Sequence, residues 1–295
     1  MNGALYLAER NVKCFFRDRS SVAFSLMAVI ILVMLYLLFL RGSLLESNPG
    51  MDGLIDAWVM AGIAAIIPVT ASAGCLQTMV EDRAGGRIRD ISVTPLSPAG
   101  IAAGYMLSTF AVCLIMSSAA LAVCIAYLCA AGCPVSAGGA LVSALLLFPS
   151  SLSGAVIVYA LTAAMRSPGA FSGFFVVVSV AIGFLAGIYM PMGTMPEAMR
   201  IIGTLVPATH MASMFRCSLA GSALDEQFAG APAEVITEFR ADMGFDLSLG
   251  GFAFDAASSM AYVLAVTLVF FIAAAFSVKA AGRRRRRPDC GVPQD

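Results

Sequence analysis

Apolar and polar positions divide this chain into long blocks. Residues 57–80 and 91–165 contain no Asp, Glu, Lys or Arg, and between them lies a charged island, "EDRAGGRIRDISVTPLSP" at 81–98. A helix crossing hydrocarbon needs roughly 20 apolar residues. Six segments reach that length: about 21–40, 57–80, 103–131, 140–165, 169–190 and 257–278. The first, "SVAFSLMAVIILVMLYLLFL", exceeds a signal-peptide core of about 7–15 residues, and no small-residue cleavage site follows it, so a retained helix is expected. The run 91–165 breaks at "AAGCPVSAGGA" (130–140), where Gly132, Pro134, Gly138 and Gly139 favour a turn. "RSP" at 166–168 separates the fourth segment from the fifth.

The shorter patterns fill in around these spans. In "ALYLAERNVKCFFRDR" (4–19), Leu5, Ala8, Val12, Phe15 and Phe16 fall on one helical arc and Glu9, Arg10, Lys13 and Arg17 on the other. Such a helix lies in the membrane interface with its basic face toward the headgroups. In the island, the second span runs on into Glu81, Asp82 and Arg83, and Gly85-Gly86 permit a sharp reversal. "RIRDISV" then predicts a short helix carrying Arg87 and Arg89, with Ile88, Ile91 and Val93 free to pack. Pro95 and Pro98 stop the helix and restart the chain. After the fifth span, "PMGTMPEAMRIIGTLVPATHMASMFRCSLAG" is apolar but broken by Pro191, Pro196 and Pro207. Short helices dipping in from the outer face are expected there. Residues 222–255 are acidic and predict an external cap with one amphipathic helix near 232–243.

The expected fold class is therefore an all-α integral membrane protein of six transmembrane helices. Its parts are an amphipathic helix at 1–20, a membrane domain at 21–282 with a loop at 81–100 and an external region at 191–256, and a basic tail at 283–295. Composition agrees: 60% of residues are hydrophobic and 12% charged, against about 25% charged in soluble domains, and mean hydropathy is +0.89. A soluble domain is excluded. With the N-terminus inside, the inner segments hold 14 Lys and Arg and the outer segments 4. That bias predicts both termini in the cytoplasm of a multi-pass cell-membrane protein.

Candidate chemistry is sparse. A phosphate-binding loop needs Gly-Lys-Ser/Thr, and the only lysines, Lys13 and Lys279, each follow valine. No cofactor is expected in this chain. Catalysis at membrane depth needs paired acids and histidines or an activated nucleophile, but every acid lies outside the six predicted spans, Asp56 at the edge of the second. The single histidine, His210, reads as a packing or capping residue after Pro207, with a proton-relay role as the alternative. The eight cysteines are scattered without CxxC spacing and read as small apolar side chains, not metal ligands. A disulfide between Cys133 and Cys217 is left open. Arg283 to Arg287, directly after a span, read as an anchor on anionic membrane lipid and not as a nucleic-acid site.

The order of these features resembles the permease subunits of type-2 ATP-binding-cassette exporters. The resemblance rests on the leading amphipathic helix; on Glu81-Asp82, Gly86 and Thr94-Pro95-Leu96-Ser97 between spans two and three; and on Pro191, Met195-Pro196, Val206-Pro207-Ala208-Thr209-His210 and Arg216 after span five. Arg87 stands where the family usually has threonine, Arg89 where an acid is common, and 222–255 is longer than in many members. The resemblance implies a second permease chain and separate ATPase subunits that carry ATP and Mg. It implies ATPase coupling at Glu81, Asp82, Arg83, Gly85, Gly86, Arg87, Ile88, Arg89, Ile91 and Pro95, with Arg10, Lys13 and Arg17 on the connecting helix. It places an external gate at Pro191, Pro196, Pro207, Thr209 and His210, and implies export of an amphiphilic or apolar cargo such as a drug, lipid or lipid-linked glycan. The alternatives are an ATP-independent channel or secondary carrier, and a membrane scaffold. A carrier commonly needs buried ionisable residues, and the predicted spans hold none.

Overall fold

The computed structural model of the chain describes residues 2–19, 22, 30–31, 33–94, 96–163 and 165–285. It opens with helix α1 (Asn2–Arg17). Most of the first predicted span lies outside the described residues. Its far end is helical, with a π-helical turn at Tyr36–Leu40 that runs into α2 (Arg41–Ser47). Then follow α3 (Asp52–Ala84), α4 (Arg87–Ser92), α5 (Pro98–Ala130), α6 (Ala137–Thr162) and α7 (Pro168–Leu185). The long last helix is α12 (Ala256–Arg285). Among the described residues, five helices are long and apolar enough to cross a membrane: α3, α5, α6, α7 and the Ala256–Phe276 part of α12.

Local chemistry sets where these helices start. Ser97, Ser136 and Ser167 are extended residues whose hydroxyls accept from the amides of Gly100, Gly139 and Ala170, which gives free first-turn N–H groups a partner. Pro98 and Pro168 occupy the first turn, where no N–H is needed. Between α3 and α4, Gly86 adopts φ +78°, a left-handed conformation that costs other residues about 1–2 kcal/mol.

Helix α3 is the axis of the bundle. It is apolar on every face, and 89% of its apolar window is buried, against 17% for α7 and 22% for α12. A helix hydrophobic all round belongs inside a larger body. Trp58, Ile55, Met60 and Ile63 fill one end of its core and Leu76, Met79 and Val80 the other. Helices α5 and α6 pack along it, and α1 lies across α5, with Leu7 and Phe15 buried.

Between α7 and α12 the chain forms small elements. They are a 3-10 turn (Met192–Thr194), α8 (Glu197–Thr204), α9 (Pro207–Leu219), α10 (Gly221–Gln227) and α11 (Ala233–Asp242). The predicted broken helices and the helix near 232–243 are thus present. The all-α expectation needs one correction. Strands β1 (Leu247–Leu249) and β2 (Phe252–Phe254) pair as an antiparallel hairpin, with Leu247 opposite Phe254. Cys133 is buried, Cys217 exposed, and both are free thiols.

Candidate functional site

The charged island folds around one buried carboxylate. Helix α3 runs on through Glu81, Asp82 and Arg83, as expected, and this carries Asp82 into the packing, where it has no solvent exposure. Arg10 of α1 grips it with two nitrogens, Nη1 on Oδ2 at 2.7 Å and Nη2 on Oδ1 at 3.3 Å. Tyr105 of α5 donates its hydroxyl to Oδ2 at 2.7 Å. Arg87, the first residue of α4, donates to Oδ1 at 3.1 Å. One side chain therefore joins α1, α3, α4 and α5. Two cations and a phenol supply what a desolvated carboxylate needs to remain charged. The hydrogen bond to Asp82 pushes the Arg10 pKa above its ordinary value. Beside the joint, Asn11 accepts from Arg10 at 3.0 Å and donates to the Ser108 hydroxyl at 3.4 Å, a second link from α1 to α5.

Arg83 makes a different connection. Its Nη1 donates to the carbonyls of Thr162, Ala163 and Met165 at 3.3, 2.5 and 3.3 Å. These carbonyls sit at the C-terminal end of α6, where four backbone acceptors lack helical partners and a cation suits the helix dipole. The island thereby also reaches α6.

The structure distributes the other predicted coupling residues as follows. Glu81 is exposed and accepts from Gln77 at 2.9 Å. Gly85 has ordinary helical geometry, so the reversal belongs to Gly86 alone. Ile88 is half-buried, and Ile91 packs against the core of Leu7, Leu76 and Tyr105. The side chain of Arg89 and the whole of Pro95 lie outside what is described. Lys13 makes an exposed pair with Glu9, and Arg17 is exposed. The expectation that all the acids lie outside the spans needs correction. Asp56 and Asp82 both belong to α3, because the helix runs beyond the apolar run at each end.

Asp56 repeats the arrangement at the other end of α3. Tyr36 and Arg41 both donate to its Oδ1, Arg41 from Nε at 2.9 Å. Arg41 also approaches Asp52 at 3.3 Å. Sequence reasoning missed Tyr36, Arg41 and Asp56. The signal available was an acid and an arginine flanking two adjacent apolar runs.

In the predicted gate region, Pro191 precedes the 3-10 turn, Pro196 caps α8 and Pro207 opens α9. Thr209 and His210 are fully buried. Thr209 donates to the Leu185 carbonyl at 3.4 Å. His210 contacts the Thr204 carbonyl through Nε2 at 2.8 Å and the Ser259 hydroxyl through Nδ1 at 3.2 Å. Since a carbonyl can only accept, Nε2 carries the proton and Nδ1 accepts. The ring lies against Phe254 and Tyr262, and burial lowers its pKa. These contacts are those of a packing histidine.

Among the described residues, Arg216 of α9 is the cation with no exposure, and its hydrogen-bond partners there include no carboxylate. It donates to the carbonyls of Gly244, Ala186 and Gly187 at 3.2, 3.0 and 2.7 Å and lies 4.8 Å from the Trp58 ring centroid. Trp58 in turn donates to Met243 O at 2.6 Å. Burial lowers the Arg216 pKa to about 9, which leaves it protonated at neutral pH. The turn after α7, the segment before the hairpin and α3 are thereby fastened to α9.

The chain is a multi-pass helical membrane protein with charged joints at both ends of its central helix. The family model described as ABC-2 family transporter protein matches residues 51–276, from just before α3 to the end of the last apolar span, and the chain belongs to that family. It is a membrane subunit of an ABC transporter. No curated protein matches the chain.

Proposed function

We propose that this chain is the permease of an exporter driven by a separate ATPase, with α4 and the exposed face of α1 as the docking surface. The observation that carries the reading is the Asp82 joint. A push on a free six-residue helix would be lost in local motion. A push on α4 reaches Asp82 through Arg87, and from there α1 and α5, because three donors from three helices converge on one desolvated carboxylate. Arg83 extends the connection to α6. Packed elements joined in this way respond by rigid-body movement. In this reading two permease chains pair around a path, ATP and Mg bind on the partner ATPase, both termini face the cytoplasm of the cell membrane, and the cargo is amphiphilic or apolar.

The experiment is purification from native membranes in mild detergent, with and without charge reversal of Arg87 and Arg89. An ATPase should copurify in a fixed ratio with the unaltered chain, and its recovery should fall with both arginines reversed, since complementary charge steers such contacts. ATP-independent cargo movement by the isolated chain in liposomes would sink the reading and favour a channel or carrier.

A further inference from the structure

A cavity of about 690 Å³ opens between α6, α9, α10, α11, the hairpin and the start of α12. None of the predicted coupling or gate residues lines it. Its volume falls within the roughly 300–1,000 Å³ of small-molecule sites. The walls are apolar, with Val142 and Leu146 of α6, Met214 of α9, Phe254 of β2 and Met260 of α12. Three of the lining hydroxyls are held by hydrogen bonds within the wall. Ser213 donates to Phe245 O at 2.5 Å, Ser218 shares a hydrogen bond with Ser143 at 2.7 Å, and Ser259 faces His210. A ligand body therefore meets mainly hydrocarbon and an aromatic ring.

The charges on the lining are unbalanced. It carries Asp225, Asp246 and Asp255 against a single cation, Arg240. Arg240 is spent on Asp246, with Nε at 2.6 Å from Oδ2 and Nη2 at 2.7 Å from Oδ1. Two exposed carboxylates remain. Asp255 accepts from the Ser258 amide at 2.8 Å, and bonding to Ser258 holds its pKa low. Asp225 has no ion pair among the described residues. An anionic ligand would be repelled here and a neutral one would leave the carboxylates unused. A cation with an apolar body satisfies both the walls and the charge.

We propose that this cavity is a binding site for a cationic amphiphile, with an ammonium, phosphonium or guanidinium head at Asp225 and Asp255 and an apolar body against Leu146, Met214 and Phe254. The head could belong to a free organic cation or to a lipid amine. Binding here requires neither an ATPase nor transport, so the inference stands apart from the export reading.

The test is equilibrium binding of radiolabelled tetraphenylphosphonium to the purified full chain in dodecyl maltoside, an uncharged detergent. Saturable binding is expected. Asp225→Asn should weaken it about five-fold, as expected for a partly exposed charge pair. Asp225→Lys, an exposed change compatible with folding, should weaken it more than ten-fold. Leu146→Trp should fill the cavity and remove binding, with thermal unfolding measured alongside. Asp242→Asn, an acid outside the lining, should change nothing, and dodecyl sulfate should not compete. Competition by added phosphatidylethanolamine would identify a lipid amine as an occupant. Failure of that lipid to compete would identify a free organic cation. Non-saturable binding, or unaltered affinity in Asp225→Lys, would overturn the proposal.

Discussion

Asp82→Asn removes one charge and keeps the shape of the side chain. Three donors then lose an anionic acceptor: Tyr105, Arg10 and Arg87. A hydrogen bond to a charged partner contributes roughly 1.5–3 kcal/mol, while an exposed ion pair contributes about 0–1 kcal/mol. Tyr105 is buried and belongs to the first class, and Arg87, 60% exposed, belongs to the second. Arg10 is 37% exposed and falls between. About 1.5 kcal/mol for Tyr105, about 1 for Arg10 and a few tenths for Arg87 give a loss of about 3 kcal/mol. At roughly 2–4 °C per kcal/mol, the melting temperature of the purified chain should fall by about 6–12 °C. The assay is thermal unfolding of the full chain in detergent, run as a cycle with Arg10→Gln. The double variant should lose about 1 kcal/mol less than the sum of the two single changes, because both remove the same pair. A shift for Asp82→Asn under about 2 °C, or strict additivity with Arg10→Gln, would refute the joint.

Gly86→Ala should cost roughly 1–2 kcal/mol, because Gly86 is left-handed. Gly85→Ala, in helical geometry, should stay within about 0.5 kcal/mol, and the same unfolding assay separates the two. Arg216→Lys should destabilise by about 2–4 kcal/mol, since one ammonium cannot reproduce a planar fork on three carbonyls and a ring, and a neutral melting result would count against the clamp. His210 binds its proton more weakly when folded than its ordinary 6.5, so its contribution to stability is complete above pH 6.5 and is lost as pH falls from there through the folded value. His210→Phe should flatten that part of the profile, which a pH series of melts reads directly. In intact cells, and in a background without native cysteines, a cysteine placed at Ser222 should react with an impermeant thiol reagent and one at Ala84 should not, and the reverse pattern would invert the proposed orientation.

The sequence showed the features that depend on neighbouring residues. The restart at Pro98, the break at 166–168, the reversal at Gly86, the short helix at 87–92 and the proline-delimited helices α8 and α9 all follow from a few adjacent positions. The hairpin was also readable but was missed. "LSLGGFAF" places two glycines between alternating apolar positions, a pattern that favours a two-residue turn, and both glycines are left-handed. The joints were not readable. Arg10 meets Asp82 across 72 positions, and Trp58 meets Met243 across 185. The family resemblance implied that Asp82 belongs to the surface that couples to the ATPase. The extra turn at the end of α3 packs it against Arg10 and Tyr105. The partners of Arg83 and Arg216 are backbone carbonyls, which every residue carries, so residue identity gives no clue to them.

The paired carboxylates of α3 have a mechanical consequence. Asp56 and Asp82 stand 26 residues apart on one helix, about 39 Å at 1.5 Å per residue, close to the ~40–45 Å of a bilayer with its headgroups. Both ends of this rod are tethered, so it cannot slide along its neighbours without breaking an ion pair. Pro68 lies one residue from the midpoint and deprives the helix of a backbone hydrogen bond there. Gly154 of α6 leans on the same spot, where a β-carbon would come within 2.9 Å of the Pro68 carbonyl. A beam held at both ends and thinned at its centre flexes at the centre. Bilayers much thicker or thinner than that span would load the two tethers unequally, so the turnover of this transporter should depend on acyl-chain length.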